Sequence, residues 1–379
     1  MANNSNLGAA KAAKNDEFYT QYADIQKEIN AYLEYNPDTF KDKTVLLPCD
    51  DPEWSNFTRF FAQNFERLGL KRLISTSYAV ESKKYKNYQP TLFETSCEWY
   101  DVDKTRIKGK IFELTRDTNG NGRIDIDDLE WHYLEGDGDF RSKEVCKLRD
   151  EADIIVTNPP FSLFREFVAW IFEAEKLCLI IGNQGGVGYK EVFHLIQENR
   201  LWMGNGFSAG NAFFSLPQNQ VREYSTGVYD EITGLVKFRN CCWLTNLEHG
   251  RRHEPMRLMS MKDNLRFGRH RDIQERGYYY HYENYDAIDV PYTDAIPEDY
   301  EGLMGVPITF LSKYCPEQFE IIGHAHGDAG VALGLRPYDR KLKKINKGLR
   351  DGDLYYMDKN GLPVIPYSRI IIRKKQQPI

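Results

Sequence analysis

The run ADIIVTNPPF places Asn158, Pro159, Pro160 and Phe161 directly after an apolar, β-branched stretch. A side-chain amide, two prolines and an aromatic in that order suit one piece of chemistry, the alkylation of an amine attached to an aromatic ring. The lone pair of such an amine is delocalised into the ring, so its nitrogen is a weak nucleophile. The Asn158 side-chain oxygen and the Pro159 carbonyl can accept its two N–H hydrogens, favour a pyramidal nitrogen and free the lone pair to attack a sulfonium methyl. Proline fixes φ and brings no competing N–H, which gives the carbonyl between the two rings a defined direction. Phe161 offers a face on which a planar base can stack. The same four residues also read as a turn that merely ends a strand, since Asn-Pro starts turns and Pro-Pro breaks regular structure. Context favours the chemistry, because a strand-like run precedes them and an amphipathic, helix-like run follows.

Those residues must be held by a scaffold, and the sequence around them has a regular one. From Lys43 to about Asn246, short apolar runs (TVLLPCD, KRLISTSY, ADIIVTNPP, KLCLIIGNQ) alternate with helix-like segments at Asp24–Tyr35, Trp54–Leu68, Leu163–Ala174 and Tyr189–Asn199. This is the pattern of a parallel sheet with crossover helices, and Asn158 falls at the carboxyl edge where such sheets bind ligands. After about Gly250 the sequence turns irregular and rich in Tyr, Pro, Arg and Asp, with strands expected at FEIIG and SRIIIRK. We therefore expect a domain over residues 1–250, carrying an inserted loop at about 101–135, and a second region over 251–379.

With 41% apolar and 28% charged residues the chain has the composition of a folded, soluble protein. No apolar run approaches the roughly 18 to 20 residues needed to cross a bilayer, and the polar start MANNSNLGAAKAAKND has no secretory stretch, so a cytoplasmic location with no membrane contact is expected. Seven cysteines without a C-x-x-C pair read as reduced thiols, mostly in the core. Net charge is −6, yet RKLKKINKGLR (Arg340–Arg350) carries six positive charges and no negative one. Positive charge is thus concentrated where a polyanion could be gripped.

The chain resembles the adenine-N6 branch of the S-adenosylmethionine-dependent DNA methyltransferases, and more narrowly the EcoRI-type adenine methylases. The resemblance covers most of the chain. It is carried by Asp16-Glu17-Phe18-Tyr19-Thr20, Cys49-Asp50-Asp51-Pro52 with Ser55-Asn56-Phe57, Gly136-Asp137-Gly138-Asp139-Phe140-Arg141-Ser142, and Asn158 to Glu166, in that order. It implies a Rossmann-like S-adenosylmethionine-binding sheet with helices on both faces, followed by a mixed α+β region that grips and reads DNA. Phe18, Tyr19 and Thr20 then fold over the cofactor, Asp50 and Asp51 hold its methionine part, and Asp137 or, preferably, Asp139 meets its adenine amine. Asn158 would contact the cofactor as well as the substrate. The glycine-rich turn usual after the first strand is replaced by Pro-Cys-Asp-Asp-Pro, and LISTSY lacks the acidic residue that would meet the ribose. The adenine would be flipped out of double-stranded DNA into the catalytic pocket. Arg251, Arg252, Arg340, Lys343, Lys344 and Lys347 are candidates for phosphate contacts, although solvated surface charge is the blander reading of each.

One insertion suggests an ion. Asp117, Asn119, Asn121 and Asp128 fall at ligand positions of a twelve-residue calcium loop, with Gly122 at the turn and Asp in place of the usual bidentate Glu. A structural Ca2+ is one expectation and an ion-free polar connection the other. His324-Ala-His326-Gly-Asp328 reads as a turn after a strand. Two functional alternatives remain open here: methylation of RNA or of a protein glutamine by the same kind of site, and a non-enzymatic, calcium-stabilised binding module. A restriction nuclease that recognises the same DNA without forming a stable complex, and action as a monomer, complete the expectations.

Overall fold

The structure, a computed structural model, describes residues 18–50, 55–79, 95, 97–207, 211–216 and 227–376. Two compact units emerge. The first gathers the described residues up to Val187 together with Leu201–His249, and the second gathers Gly188–Arg200 with the residues from Gly250 onward.

An eight-stranded sheet organises the first unit. With strands numbered along the chain, its parallel centre is β2 (Thr44–Leu47), β3 (Arg72–Ser77), β6 (Ile154–Thr157) and β7 (Leu177–Asn183), in the order β3-β2-β6-β7. β2 and β6 are buried at every residue, as expected of parallel strands covered on both faces. The chain runs from β2 to β3 on one side and later returns to β6 on the other. The segments leaving the carboxyl ends of β2 and β6 therefore diverge and leave a crevice.

The sheet is mixed rather than wholly parallel, which corrects the reading from sequence. β4 (Lys110–Leu114) and β5 (Glu130–Tyr133) extend it antiparallel beyond β3, while β12 (Cys241–Thr245) and β8 (Trp202–Met203) do so beyond β7. The expected inserted loop thus contains a helix, Val102–Ile107, and a pair of strands. An antiparallel return needs only a turn-rich connection, and the polar segment between β4 and β5 supplies one. The expected helix Trp54–Leu68 is instead two pieces, Asn56–Gln63 and Phe65–Leu68. They part at Asn64, whose Nδ2 donates to the Phe60 carbonyl at 2.8 Å, an example of an Asn side chain competing for helical backbone.

A smaller antiparallel sheet in the same unit has the order β1 (Tyr19–Thr20), β9 (Asn211–Ser215), β11 (Leu235–Arg239), β10 (Tyr229–Asp230). The helix Tyr22–Tyr35 follows β1 and buries Ile25, Glu28, Ile29 and Tyr32, one face at helical spacing. Glu28 is fully buried and its carboxylate accepts from Asn205 N at 2.7 Å, Gly206 N at 2.9 Å and the Tyr32 hydroxyl at 2.8 Å. A buried charge needs such donors, and these tie the segment that precedes β9 to the helix that follows β1.

The second unit is built on the sheet β13 (Ala287–Asp289), β14 (Leu303–Pro307), β18 (Arg369–Lys374), β15 (Phe319–Ala325), in that order, with a two-stranded ribbon of β16 (Tyr356–Met357) and β17 (Pro363–Val364). Arg369 and Asp289 form an ion pair of 2.9 Å inside it, joined by the Tyr282 hydroxyl on the same carboxylate oxygen at 2.6 Å. His324 ends the strand run against Ser368 Oγ at 2.5 Å, and His326 meets Asp353 at 2.8 Å. All seven cysteines are free thiols, with Cys178, Cys241, Cys242 and Cys315 buried. Among the described residues no helix is long and apolar enough to cross a membrane.

Candidate active site

Asn158 is the first residue beyond β6. Its side-chain Nδ2 donates to the Phe18 carbonyl at 2.6 Å, which fixes the amide plane and leaves Oδ1 as the outward acceptor. Among the described residues Oδ1 is buried and has no hydrogen-bond partner. Buried polar atoms are nearly always paired, so an orphaned acceptor at a sheet's carboxyl edge marks a place for a donor from outside the chain. The Pro160 carbonyl is taken by Leu163 N at 2.9 Å as the next helical turn begins. The Pro159 carbonyl accepts nothing among the described residues and adjoins Oδ1 in sequence.

Aromatic rings wall this spot. Phe161 lies 6.3 Å from Phe18 with ring planes 28° apart, and 6.1 Å from Phe238. Phe18 packs edge-on to Phe238 at 4.6 Å and also meets Phe214. Phe214 and Phe238 come from β9 and β11, far along the chain, and no sequence signal pointed to them. Pairing of β1 with β9 sets Tyr19 opposite Ser215 and Thr20 opposite Phe214. Asn56 Nδ2 holds the Thr20 carbonyl at 2.8 Å, while the Thr20 hydroxyl is a second buried oxygen without a partner among the described residues.

The end of β2 is a knot of hydroxyls around one carboxylate. Asp50 is buried and accepts from Ser55 Oγ at 2.7 Å and from Thr157 Oγ1 at 2.6 Å, while its own carbonyl accepts from Ser75 Oγ at 2.5 Å. Ser55 also caps the helix Asn56–Gln63 by accepting from Phe57 N at 3.1 Å. The Asp50 carboxylate thereby links the end of β6 to the start of a helix, and its carbonyl adds β3. Asp16, Glu17 and Asp51, named from the sequence, lie outside the described residues.

The segment Gly136–Ser142 crosses the end of β3, where Ala79 N donates to the Asp137 carbonyl at 2.9 Å. Gly138 sits at φ +85, and a Cβ there would come within 2.2 Å of the Ser77 carbonyl oxygen, so only glycine fits. This holds the Asp137 backbone just beyond the end of β3, and its carboxylate accepts from Asp139 N at 3.1 Å. Asp139 is held differently. Its two oxygens accept from Arg141 N, Nε and Nη2 at 2.8, 2.9 and 2.7 Å, and Arg141 in turn pairs with Glu166 at 3.0 Å.

The calcium expectation is not supported. Asp117 accepts from the backbone N–H groups of Gly120, Asn121 and Gly122, and Asn119 and Asn121 each accept from a backbone N–H two residues on. Asp128 accepts from Thr118 N, Thr118 Oγ1, Asn119 N and Asp125 N. Burial would raise its carboxyl, but these donors hold it below the usual carboxylate range. The loop oxygens therefore stabilise the loop's own turns, and no group of three or more His, Cys, Asp or Glu among the described residues is arranged to hold a metal. Millimolar calcium or a chelator should shift the melting temperature by less than about 1 °C, since a ligand stabilises only by occupying the folded state. A saturable upward shift with calcium would restore the ion.

Of the six basic residues expected to face phosphates, one is buried and two have partners within the chain. Arg252 is buried. Arg340 pairs with Asp351 at 2.6 Å and lies over the Tyr338 ring, and the Lys343 ammonium donates to the Leu349 carbonyl at 2.5 Å. Lys344 and Lys347 are exposed.

At the carboxyl edge of the sheet, then, a buried amide acceptor stands beside a group of aromatic rings. The family model described as adenine-specific methyltransferase EcoRI matches residues 6–375. The chain is 39% identical over 377 residues to the Type II methyltransferase M.EcoRI of Escherichia coli, covering 99% of this chain and 98% of that one. It is 33% identical over 315 residues to the Type II methyltransferase M.MpnI of Mycoplasma pneumoniae, covering 83% of each. No solved structure matches it. The chain belongs to the EcoRI family of adenine-specific DNA methyltransferases. It is an S-adenosylmethionine-using enzyme with DNA as substrate, which sets aside the RNA, protein-glutamine and non-enzymatic readings.

Proposed function

We propose that the crevice between the carboxyl ends of β2 and β6 is the site of methyl transfer to adenine N6, on a Rossmann-like sheet. The observation that carries this reading is the buried, unpartnered Oδ1 of Asn158, aimed by the bond from Nδ2 to the Phe18 carbonyl. Oδ1 and the Pro159 carbonyl accept the two N–H hydrogens of the adenine amine, and the lone pair is released from the ring. S-adenosylmethionine supplies an electrophilic sulfonium methyl when bound. The residues present suit it: the Thr20 hydroxyl is a buried oxygen awaiting a donor or acceptor, and the aromatic rings of Phe18, Phe161 and Phe238 supply apolar walls. We place Asp137 with the cofactor ribose, Tyr19 against the cofactor from the side of β1, and Asp139 at the adenine end beside Arg141. Asp50 and, from the sequence, Asp51 border the methionine part, with Asp50 acting through the hydroxyl knot.

Phe161 holds the flipped base by stacking, with Pro160 fixing where that ring starts. Phe161→Ala should lower kcat/KM on duplex DNA by about 5- to 150-fold, from the roughly 1 to 3 kcal/mol that base–aromatic stacking contributes. A DNA with an abasic site opposite the target adenine should regain part of the loss, because flipping is then easier. Equal losses on both substrates would count against a stacking role.

The first unit is the catalytic one and the second grips and reads DNA, acting as a monomer in the cytoplasm beside a nuclease of the same specificity. Calorimetric titration of the full chain with S-adenosylmethionine tests the cofactor assignment. One saturable site, retained in Asn158→Ala, is expected; absence of saturable binding to the unaltered chain would remove the reading.

A further inference from the structure

We propose that a corner of the second unit built by Arg266, Phe267, Arg269 and Arg271 is a contact surface for the DNA backbone. Two short helices, Met261–Phe267 and Arg271–Arg276, meet there. Gly268 makes the turn tight: its N–H donates to the Asn264 carbonyl at 3.1 Å, and a Cβ on it would lie 2.5 Å from that same oxygen. Gln274 Nε2 then binds the carbonyls of Arg266 and Gly268 at 3.3 and 2.8 Å, which clamps the second helix onto the end of the first. Three arginines within six residues are gathered at one rigid point.

Positive charge is in excess there. Arg257–Arg276, to the end of the second helix, carries six positive charges and three negative, Asp263, Asp272 and Glu275, in a chain of net charge −6. Asp263 is occupied in capping, with its carboxylate taking the Ser260 hydroxyl at 2.8 Å. Asp294 is taken by His270 Nε2 at 2.7 Å and reaches Arg269 only at 3.6 Å, while Arg269 remains 87% exposed. An ion pair so exposed contributes little. Among the described residues Arg266 and Arg271 make no ion pair. Phe267 is 64% exposed, with the Arg266 guanidinium 5.1 Å from its ring. Planar guanidinium groups suit phosphate oxygens, and an exposed ring beside them suits sugar edges rather than a solvated surface. Sequence reasoning passed over this segment because its positive charges are spaced among apolar residues, unlike the run Arg340–Arg350.

This inference rests on the second unit's role in gripping DNA. The test is binding of the full chain to its duplex across a salt series, followed by anisotropy. Each phosphate contact contributes roughly 0.9 to the slope of log affinity against log salt. The triple variant R266Q/R269Q/R271Q should therefore flatten the slope by about 2 to 3 and weaken binding, with an unchanged melting temperature. The charge-conserving variant R266K/R269K/R271K should restore most of the slope. The methylated sequence should stay the same in both, since phosphate contacts carry no base information. An unchanged slope in the glutamine variant overturns the corner. Absence of salt-dependent binding by the unaltered chain would instead overturn the DNA role of the second unit.

Discussion

Asn158→Ala is expected to lower kcat by a hundredfold or more while leaving the affinity for S-adenosylmethionine within about threefold. Removing one preorganised hydrogen-bonding group from a reacting centre costs about 10² to 10³ in turnover. Here the acceptor is aimed by a 2.6 Å bond from Nδ2 to the Phe18 carbonyl, so its loss also frees the β1 segment from the end of β6. Because Oδ1 meets no other described group, its loss should fall on turnover, while the loss of Nδ2 takes a donor from the Phe18 carbonyl and should lower the melting temperature slightly. Asn158→Asp keeps an acceptor but cannot donate to Phe18, and should fall between the alanine variant and the unaltered enzyme. Near-normal kcat in the alanine variant would end the assignment.

Asp50→Ala should be the most damaging single change to the first unit, lowering stability by about 3 kcal/mol and weakening cofactor binding with it. Both carboxylate oxygens are engaged, and their loss leaves the buried hydroxyls of Ser55 and Thr157 without an acceptor. Hydrogen bonds to a charged group contribute about 1.5 to 3 kcal/mol each, and an orphaned buried partner adds its desolvation. At roughly 2 to 4 °C per kcal/mol for a unit of this size, the melting temperature should fall by about 6 to 12 °C. Asp50→Asn should lose much less, since its amide can still pair with both hydroxyls. A melting temperature for Asp50→Ala within about 1 °C of the unaltered chain would show that the knot does not hold the strand ends together.

Local patterns carried much of this structure. β2, β6 and β7 are continuous apolar runs, and their length and β-branched content set their type without reference to the rest of the chain. Asn158 and Phe161 could be placed because motif, strand and following helix are contiguous. What escaped depends on distance along the chain. Phe214 and Phe238 reach Phe18 only through the pairing of β1, β9 and β11, which joins residues about 200 apart. Nor does the sequence show that Thr157, 107 residues on, would bind the Asp50 carboxylate. The loop Asp117–Asp128 left two readings open for a related reason: alternating oxygens at a glycine turn have the same spacing whether they meet an ion or the loop's own N–H groups. The basic run Arg340–Arg350 showed charge but not the partners of Arg340 in Asp351 and of Lys343 in a carbonyl.

The most direct test of the account is single-molecule sequencing of DNA from cells expressing the unaltered chain or Asn158→Ala, scoring N6-methyladenine at every sequence motif. One motif modified at its adenine by the unaltered chain and unmodified in the variant is the predicted result. Equal modification of that motif by both would contradict the central role given to Asn158.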